Sequence, residues 1–317
     1  MTRFIIRRVL LGFVTLLIQS VLIFLGTRVL PGNPGRAILG PFADQASVEA
    51  LNEELGANDP LYQQYWDWIS GVLTGDLGDS YTQERSVQTV VFDGLKNSMK
   101  LAALAFVLVV PLSIVGGVLA ALKQGKPTDR IITAGGLSVA VIPEFVTSVA
   151  LLLVFALWLD WLPVSARWPP GTSALEQIKY LILPATALVL LLFGYIARMA
   201  RAGTIEALRS DYVRTAVVKG LPRGTVVRRH VLRNSLIPTI AVIATQIGYM
   251  IGGLVVVELI FNYNGLGYTL LTAAQKKDYP LLQSAVMAVG VVYLVATLLG
   301  DLLTSLLSPR IRYASER

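Results

Sequence analysis

The chain contains no cysteine and only one histidine in 317 residues. The first absence excludes disulfides, thiol nucleophiles and cysteine-based metal sites. The second leaves His230 alone in a basic stretch, without the acidic neighbours that a metal centre or a histidine general base would use. No metal ligand set and no catalytic residue is therefore expected. Charge is also scarce, at 15% against 54% hydrophobic residues, which is too apolar a balance for a soluble domain of this length. A Gly-x4-Gly-Lys-Ser/Thr phosphate loop is missing as well, so by that motif the chain is not itself an ATPase.

What is present in quantity is long apolar sequence: Val9–Thr27, Leu101–Leu122, Ile131–Leu159, Leu181–Ala197, Leu236–Val257 and Leu281–Gly300. Each approaches or exceeds the ~20 residues of a transmembrane helix. Only the third holds a charge, Glu144. The expectation is an all-α integral membrane protein with six transmembrane helices. Thr2–Arg8 resembles the start of a secretory signal. The apolar run behind it exceeds the roughly 7–15 residues of a signal core and no small-x-small cleavage site follows, so it reads as an uncleaved first span.

The net charge of +7 follows this topology. With a cytoplasmic N-terminus, the inside segments 1–8, 123–130, 198–235 and 301–317 hold eighteen of the 27 Lys/Arg and five of the 20 acids. This is the positive-inside pattern, and it sets aside a nucleic-acid surface. Both termini are expected in the cytoplasm. Trp158, Trp161 and Trp168 suit a membrane–water interface.

Three regions follow: residues 1–30, a cytoplasmic N-terminus and first span; residues 31–100, an extracytoplasmic helical insertion with ten acids and four bases; and residues 101–317, a five-helix core. Within the insertion, Ser47 is expected to cap a helix that Gly56 ends. Leu61, Tyr65, Trp68 and Ile69 fall at helical spacing in 61–73. Residues 262–267 read as a turn before a short re-entrant or interfacial helix at Tyr268–Leu271. Gly252-Gly253 permits close helix packing.

Residues 198–235 carry nine Lys/Arg and two acids. Thr204 can cap a helix with Glu206 in its first turn, and Ile205, Leu208, Tyr212 and Ala216 then share a face. Gly220 and Pro222 stop that helix. A second runs from Thr225 to Ser235, before Pro238. Two readings stand: a basic loop held to anionic lipid, or a docking element for a cytoplasmic partner.

Here the chain resembles a family. Asp211-Tyr212-Val213-Arg214-Thr215-Ala216, Lys219-Gly220-Leu221 and His230–Pro238 are similar to the cytoplasmic coupling loop of ABC importer permeases, in the dipeptide/oligopeptide/nickel branch. Leu30–Pro34, Asp59-Pro60-Leu61 with Gln64-Tyr65, Gly75-Asp76-Leu77-Gly78 with Ser80, Trp161–Val164, Ile260-Phe261 with Gly265-Leu266-Gly267, Asp278-Tyr279-Pro280 and Pro309–Tyr313 extend the likeness over nearly the whole chain. It departs at Arg214-Thr215-Ala216, where the broader motif begins Glu-Ala-Ala, at Asn33, where Asp is usual, and at Glu144, where a small neutral residue is usual.

The resemblance implies a type I ABC importer permease architecture in a bacterial cytoplasmic (inner) membrane. It also implies a second homologous permease, two ATPase subunits that bind ATP and Mg, and an extracytoplasmic substrate-binding protein. Tyr212, Val213, Arg214, Thr215, Ala216, Lys219, Gly220 and Leu221 would dock an ATPase.

Glu144, Gln246 and Tyr249 are the candidate pathway residues. Glu144 either meets a cationic group of the solute or helps helices pack. Gln246 and Tyr249 either face the same pathway or make packing hydrogen bonds. Arg198 and Arg201 are expected to snorkel at the inner end of the fourth span. A proton- or ion-coupled secondary transporter is the alternative, but it calls for paired intramembrane ionisable groups or related halves. An intramembrane hydrolase lacks a base in the spans. Dipeptides, oligopeptides, glutathione, opines and nickel chelates all remain open as solutes.

Overall fold

The structure, a computed structural model, describes residues 2–29 and 33–307. The sequence readings on Leu30-Pro31-Gly32 and Pro309–Tyr313 lie outside the described residues. Helices are α1 (Thr2–Val29), α2 (Pro34–Leu39), α3 (Gln45–Glu54), α4 (Leu61–Thr74) and α5 (Val87–Leu122). A bent pair follows, α6 (Pro127–Val141) and α7 (Glu144–Trp158). Then come α8 (Ala174–Leu208) and α9 (Asp211–Val218), and α10 (residues 223–235), in which Val226–Val231 is a π-helix. The last are α11 (Ile237–Ile260), α12 (Leu266–Lys276) and α13 (Tyr279–Leu307). Among the described residues the only β pairing is an isolated bridge, Asp79 with Ser86. Among the described residues five helices are long and apolar enough to span a membrane, or six when the bent pair is counted as one span.

Two compact units are distinguishable: Met1–Met99 with Asn262–Leu294, and Lys100–Phe261 with Val295–Arg317. In the first unit α1 runs antiparallel to α13. Gln19 Nε2 donates to the Val286 carbonyl at 2.7 Å and Gln283 Nε2 to Thr27 Oγ1 at 2.8 Å. Helix α4 lies on α1, with the Tyr65 and Trp68 rings 5.4 and 6.2 Å from that of Phe24. Val87, Val90 and Val91 of α5 form a core with Leu266 and Ala273 of α12 and with Leu281, Leu282 and Ala285 of α13. Residues 268–271 thus belong to a packed helix of eleven residues, Leu266–Lys276.

The cap of α3 is Asp44, not Ser47. Its carboxylate accepts the Ser47 N–H at 2.9 Å and the Ser47 hydroxyl at 2.7 Å, and these bonds hold the Asp44 carboxyl below its ordinary range. A carboxylate accepts two donors at once and suits the positive end of the helix dipole, so the chain starts α3 two residues before Ser47.

A buried carboxylate closes this unit. Asp278 is fully buried. It accepts the Ser80 hydroxyl at 2.6 Å and the N–H and hydroxyl of Thr82 at 3.1 and 3.0 Å. The N–H of Leu281, in the first turn of α13, also reaches it, at 3.3 Å.

In the second unit α8 is central: 61% of its apolar window is buried, against 33% or less for the other unbroken spans. Its 35 residues at ~1.5 Å per residue exceed the ~30 Å hydrocarbon layer, so one end projects beyond it. The apolar run Leu181–Ala197 is the middle of this helix. Thr204 is therefore not a cap but a fully buried residue inside α8, its hydroxyl bonded to the Ala200 carbonyl at 2.7 Å.

The third apolar run is broken. Ile142 and Pro143 are extended, and α6 and α7 meet at 105°. Proline removes an amide donor and keeps the residue before it out of the helical region. Glu144 consequently lies in the first turn of α7, half-buried, rather than within a continuous span. The pair still crosses. It begins where Asp129 accepts Arg201 of α8 through Nε at 2.6 Å and Nη2 at 2.8 Å. It leaves through a loop that re-enters α8 at Ala174 and whose Ala166 N–H reaches the Phe261 carbonyl past α11 at 2.7 Å. These are opposite ends of α8.

Arg201 is thus not a snorkelling side chain but half of a forked ion pair. The Asp129 side chain is 5% exposed and the Arg201 side chain 27%, so removing the cation leaves a buried carboxylate unpaired, at a cost of about 3–5 kcal/mol. Arg201→Met is expected to lower the unfolding midpoint in detergent accordingly. Adding Asp129→Asn should restore most of the loss, and a single variant as stable as the parent would remove the pair from this account.

Candidate functional site

The loop after α8 is built on a small core of its own. Helix α8 ends at Leu208, and Arg209-Ser210 turn the chain, with the Ser210 hydroxyl donating to the Ala207 carbonyl at 2.6 Å. Ser210 precedes α9 and Asp211 occupies its first turn, where an acid complements the helix dipole. Val213 and Ala216 of α9 are buried with Ala207 of α8 and Val226 and Val231 of α10, and Leu208 packs against them. The sequence places Ala216 and Leu208 correctly on the buried face. Tyr212 is instead 41% exposed, because the break at Arg209 resets the helical phase on which it shared a face with Leu208.

The turn is as expected at Gly220. Its φ is +78°, a region costly for any residue with a Cβ. Its N–H closes on the Val217 carbonyl at 2.9 Å and that of Leu221 on Ala216 at 3.3 Å. Pro222 then leads into α10, which begins at Arg223, two residues earlier than Thr225, as proline suits the approach to a first helical turn. The far end of the loop returns to α8: a Cβ on Gly203 would overlap the Ser235 carbonyl oxygen. Both ends of the loop are therefore held to one helix.

The opposite side of α9 is bare. Val217, Val218 and Leu221 are 59%, 81% and 38% exposed, and Arg214, Thr215 and Lys219 are exposed beside them. Apolar side chains rimmed by bases, on a helix whose other face already has a core, have the composition of a docking surface.

The three pathway candidates are not joined. Gln246 is buried in α11, Tyr249 is 71% exposed, and among the described residues no hydrogen bond links either to Glu144. The hydroxyl of Thr147 donates to the Glu144 backbone carbonyl. Glu258, one residue beyond the apolar run Leu236–Val257, is fully buried in the last turns of α11. Its position at the edge of an apolar run was the available signal.

A multi-spanning all-α membrane protein with a structured basic loop between its fourth and fifth spans is the framework of a transport permease. Residues 113–313 match the family described as "Binding-protein-dependent transport system inner membrane component", and residues 1–102 match its N-terminal counterpart, "Binding-prot-dependent transport system membrane comp, N-term". The chain belongs to this family and is a permease subunit of an ABC importer, a multi-pass protein of the inner membrane. It is 34% identical over 313 residues to the "Glutathione transport system permease protein GsiC" of Escherichia coli strains K12 and CFT073 and of Shigella dysenteriae serotype 1, covering 99% of this chain and 100% of each relative. This sets aside the secondary-transporter alternative.

The loop core makes a local prediction. Ala216 is 5% exposed, and a larger side chain there overpacks the cluster by about 1–3 kcal/mol. Ala216→Leu should make residues 209–235 markedly more sensitive to limited proteolysis while the spans stay protected. Unchanged cleavage would show that the loop has no packed core.

Proposed function

We propose that this subunit takes up short peptides or similar small solutes and couples to an ATPase through residues 198–235. The observation that carries the reading is the two-sided α9: Val213 and Ala216 close a core against α8 and α10, while Val217, Val218, Leu221, Arg214 and Lys219 are left outward. Tyr212, Thr215 and Gly220 complete the docking element. ATP and Mg would be bound by two separate ATPase subunits, and this chain carries no cofactor of its own. A second homologous permease would supply the other half of the pathway, and an extracytoplasmic binding protein would deliver the solute. The relatives' glutathione transport favours a peptide-like solute, and the charge distribution favours cytoplasmic N- and C-termini.

The mechanical argument follows from the contacts. A push on α9 passes through Val213 and Ala216 to α8, and through α10 to the Gly203–Ser235 contact at the start of α11. Helix α8 also holds α6 by the Asp129–Arg201 fork. Moving α8 therefore bears on the break at Ile142-Pro143, where Glu144 stands at the start of α7. Glu144, Gln246 and Tyr249 are assigned to the pathway on this reading, with Glu144 receiving a cationic group of the solute.

Gly220→Val forces a β-branched residue to positive φ. In the reconstituted assembly it is expected to leave insertion and basal ATP hydrolysis intact, and to cut solute-stimulated hydrolysis and uptake at least tenfold. Normal coupling in that variant would remove the loop from the mechanism. Glu144→Gln should reduce uptake of a cationic or zwitterionic solute several-fold at neutral pH. Unchanged transport there would leave Glu144 with packing alone.

A further inference from the structure

The first unit contains a cavity of about 340 Å³ between the end of α1, the α3–α4 linker, the chain after α4 and the start of α13. That volume lies at the lower end of the ~300–1,000 Å³ range of small-molecule sites. Its lining is unusually charged for a structural crevice. Arg28, from the last turn of α1, stacks with its guanidinium carbon 5.1 Å from the Phe24 ring centroid. Among the described residues it has no carboxylate partner and no hydrogen bond. A planar guanidinium held on a ring, with its donors unused, is set for a carboxylate.

Two neutral groups stand with it. Gln283 is 5% exposed and its amide N–H is spent on Thr27. No hydrogen bond to its Oε1 is found among the described residues, and the residue lines the cavity. The Tyr81 hydroxyl is also unbonded among them. Burial first, and the Asp278 carboxylate second, push its pKa up, so it remains a neutral donor through the physiological range. The remaining polar wall is acidic: Asp59, Asp67 and Asp76 all line the cavity. Asp76 accepts the Gly78 N–H at 3.1 Å. The carboxylates of Asp59 and Asp67 have no partner among the described residues.

We infer that this cavity is a binding site, on the permease itself, for a small zwitterion of the peptide type. Arg28 and Tyr81 take the solute carboxylate, and the carboxylates of Asp59, Asp67 and Asp76 take its ammonium. The inference deepens the proposed transport role, on which its choice of ligand class rests. A purely anionic ligand would face three carboxylates, and a purely cationic one would face Arg28. Only a ligand carrying both charges uses the whole lining.

The test is equilibrium binding of dialanine and of glutathione to the reconstituted assembly, followed by Trp68 fluorescence at the cavity wall and by dialysis of labelled ligand. Saturable binding is expected for at least one of them. Converting the C-terminal carboxylate of that ligand to the amide should weaken it at least tenfold, and Arg28→Gln should do the same. The two losses should not add, because both remove one contact. Arg28→Lys should recover part of the affinity. If Arg28→Gln fails to assemble, Tyr81→Phe decides, with an expected threefold to tenfold weakening. The inference is overturned if neither ligand binds saturably, if the amide binds as tightly as the acid, or if the Arg28 and Tyr81 variants bind like the parent. The Gly220→Val assembly separates it from the coupling proposal: lost uptake with unchanged affinity supports the cavity, and lost affinity there overturns it.

Discussion

Much of the second unit depends on how closely backbones approach along one helix. Gly194, Ala197, Ala200 and Gly203 recur every third residue of α8. A Cβ on Gly194 would overlap the Gly136 carbonyl of α6, one on Gly117 of α5 would overlap the Ala197 carbonyl, and Gly203 meets Ser235. In a bilayer, lipid competes with side chains for apolar contact, so helices associate through small residues and close van der Waals fit. This seam brings the second span, the broken third span and the return of the basic loop against the same helix. Gly253 takes part from α11 by facing Leu188 and Leu191, whereas Gly252 faces open space.

Polar groups sit where they can be satisfied. Asp129 and Arg201 fork together at one end of α8, and Asp278 gathers four donors at the start of α13. A buried carboxylate without partners costs several kcal/mol, so these contacts select one arrangement of the helices. In the bilayer, breaking a helix exposes amides that water cannot serve. The break at Ile142-Pro143 is tolerated because the missing proline donor coincides with a fresh helix start, which leaves Glu144 beside the unpaired N–H groups of α7.

Local chemistry made several features readable in advance. The apolar runs mark the spans, Gly220 marks the turn, Gly56 adopts the positive φ expected of a stop, and Tyr65 and Trp68 keep the shared face that lets them meet Phe24. The scattered motifs also gain a physical reason. Gly75–Gly78 with Ser80 and Asp278-Tyr279-Pro280 lie about 200 residues apart, yet Ser80 and Asp278 share a hydrogen bond across 198 positions. Asn33 caps α2 by accepting the Arg36 N–H.

What the sequence alone determined was the membrane class, the order of the apolar segments, the basic loop and its glycine turn, and the resemblance to the importer permeases. These rest on hydropathy, charge and dihedral preference, which are properties of neighbouring residues. Only the tertiary structure decided that Thr204 is buried inside a long helix, that Arg201 belongs to Asp129, that Glu258 lies in the interior and that Arg28 lines one cavity with Asp59, Asp67 and Asp76. Each of these depends on which group comes within reach from a distant part of the chain. The third span shows the boundary between the two. Pro143 announces a disturbance, but whether it is a gentle kink or a 105° break is settled by how α6 and α7 pack on α8.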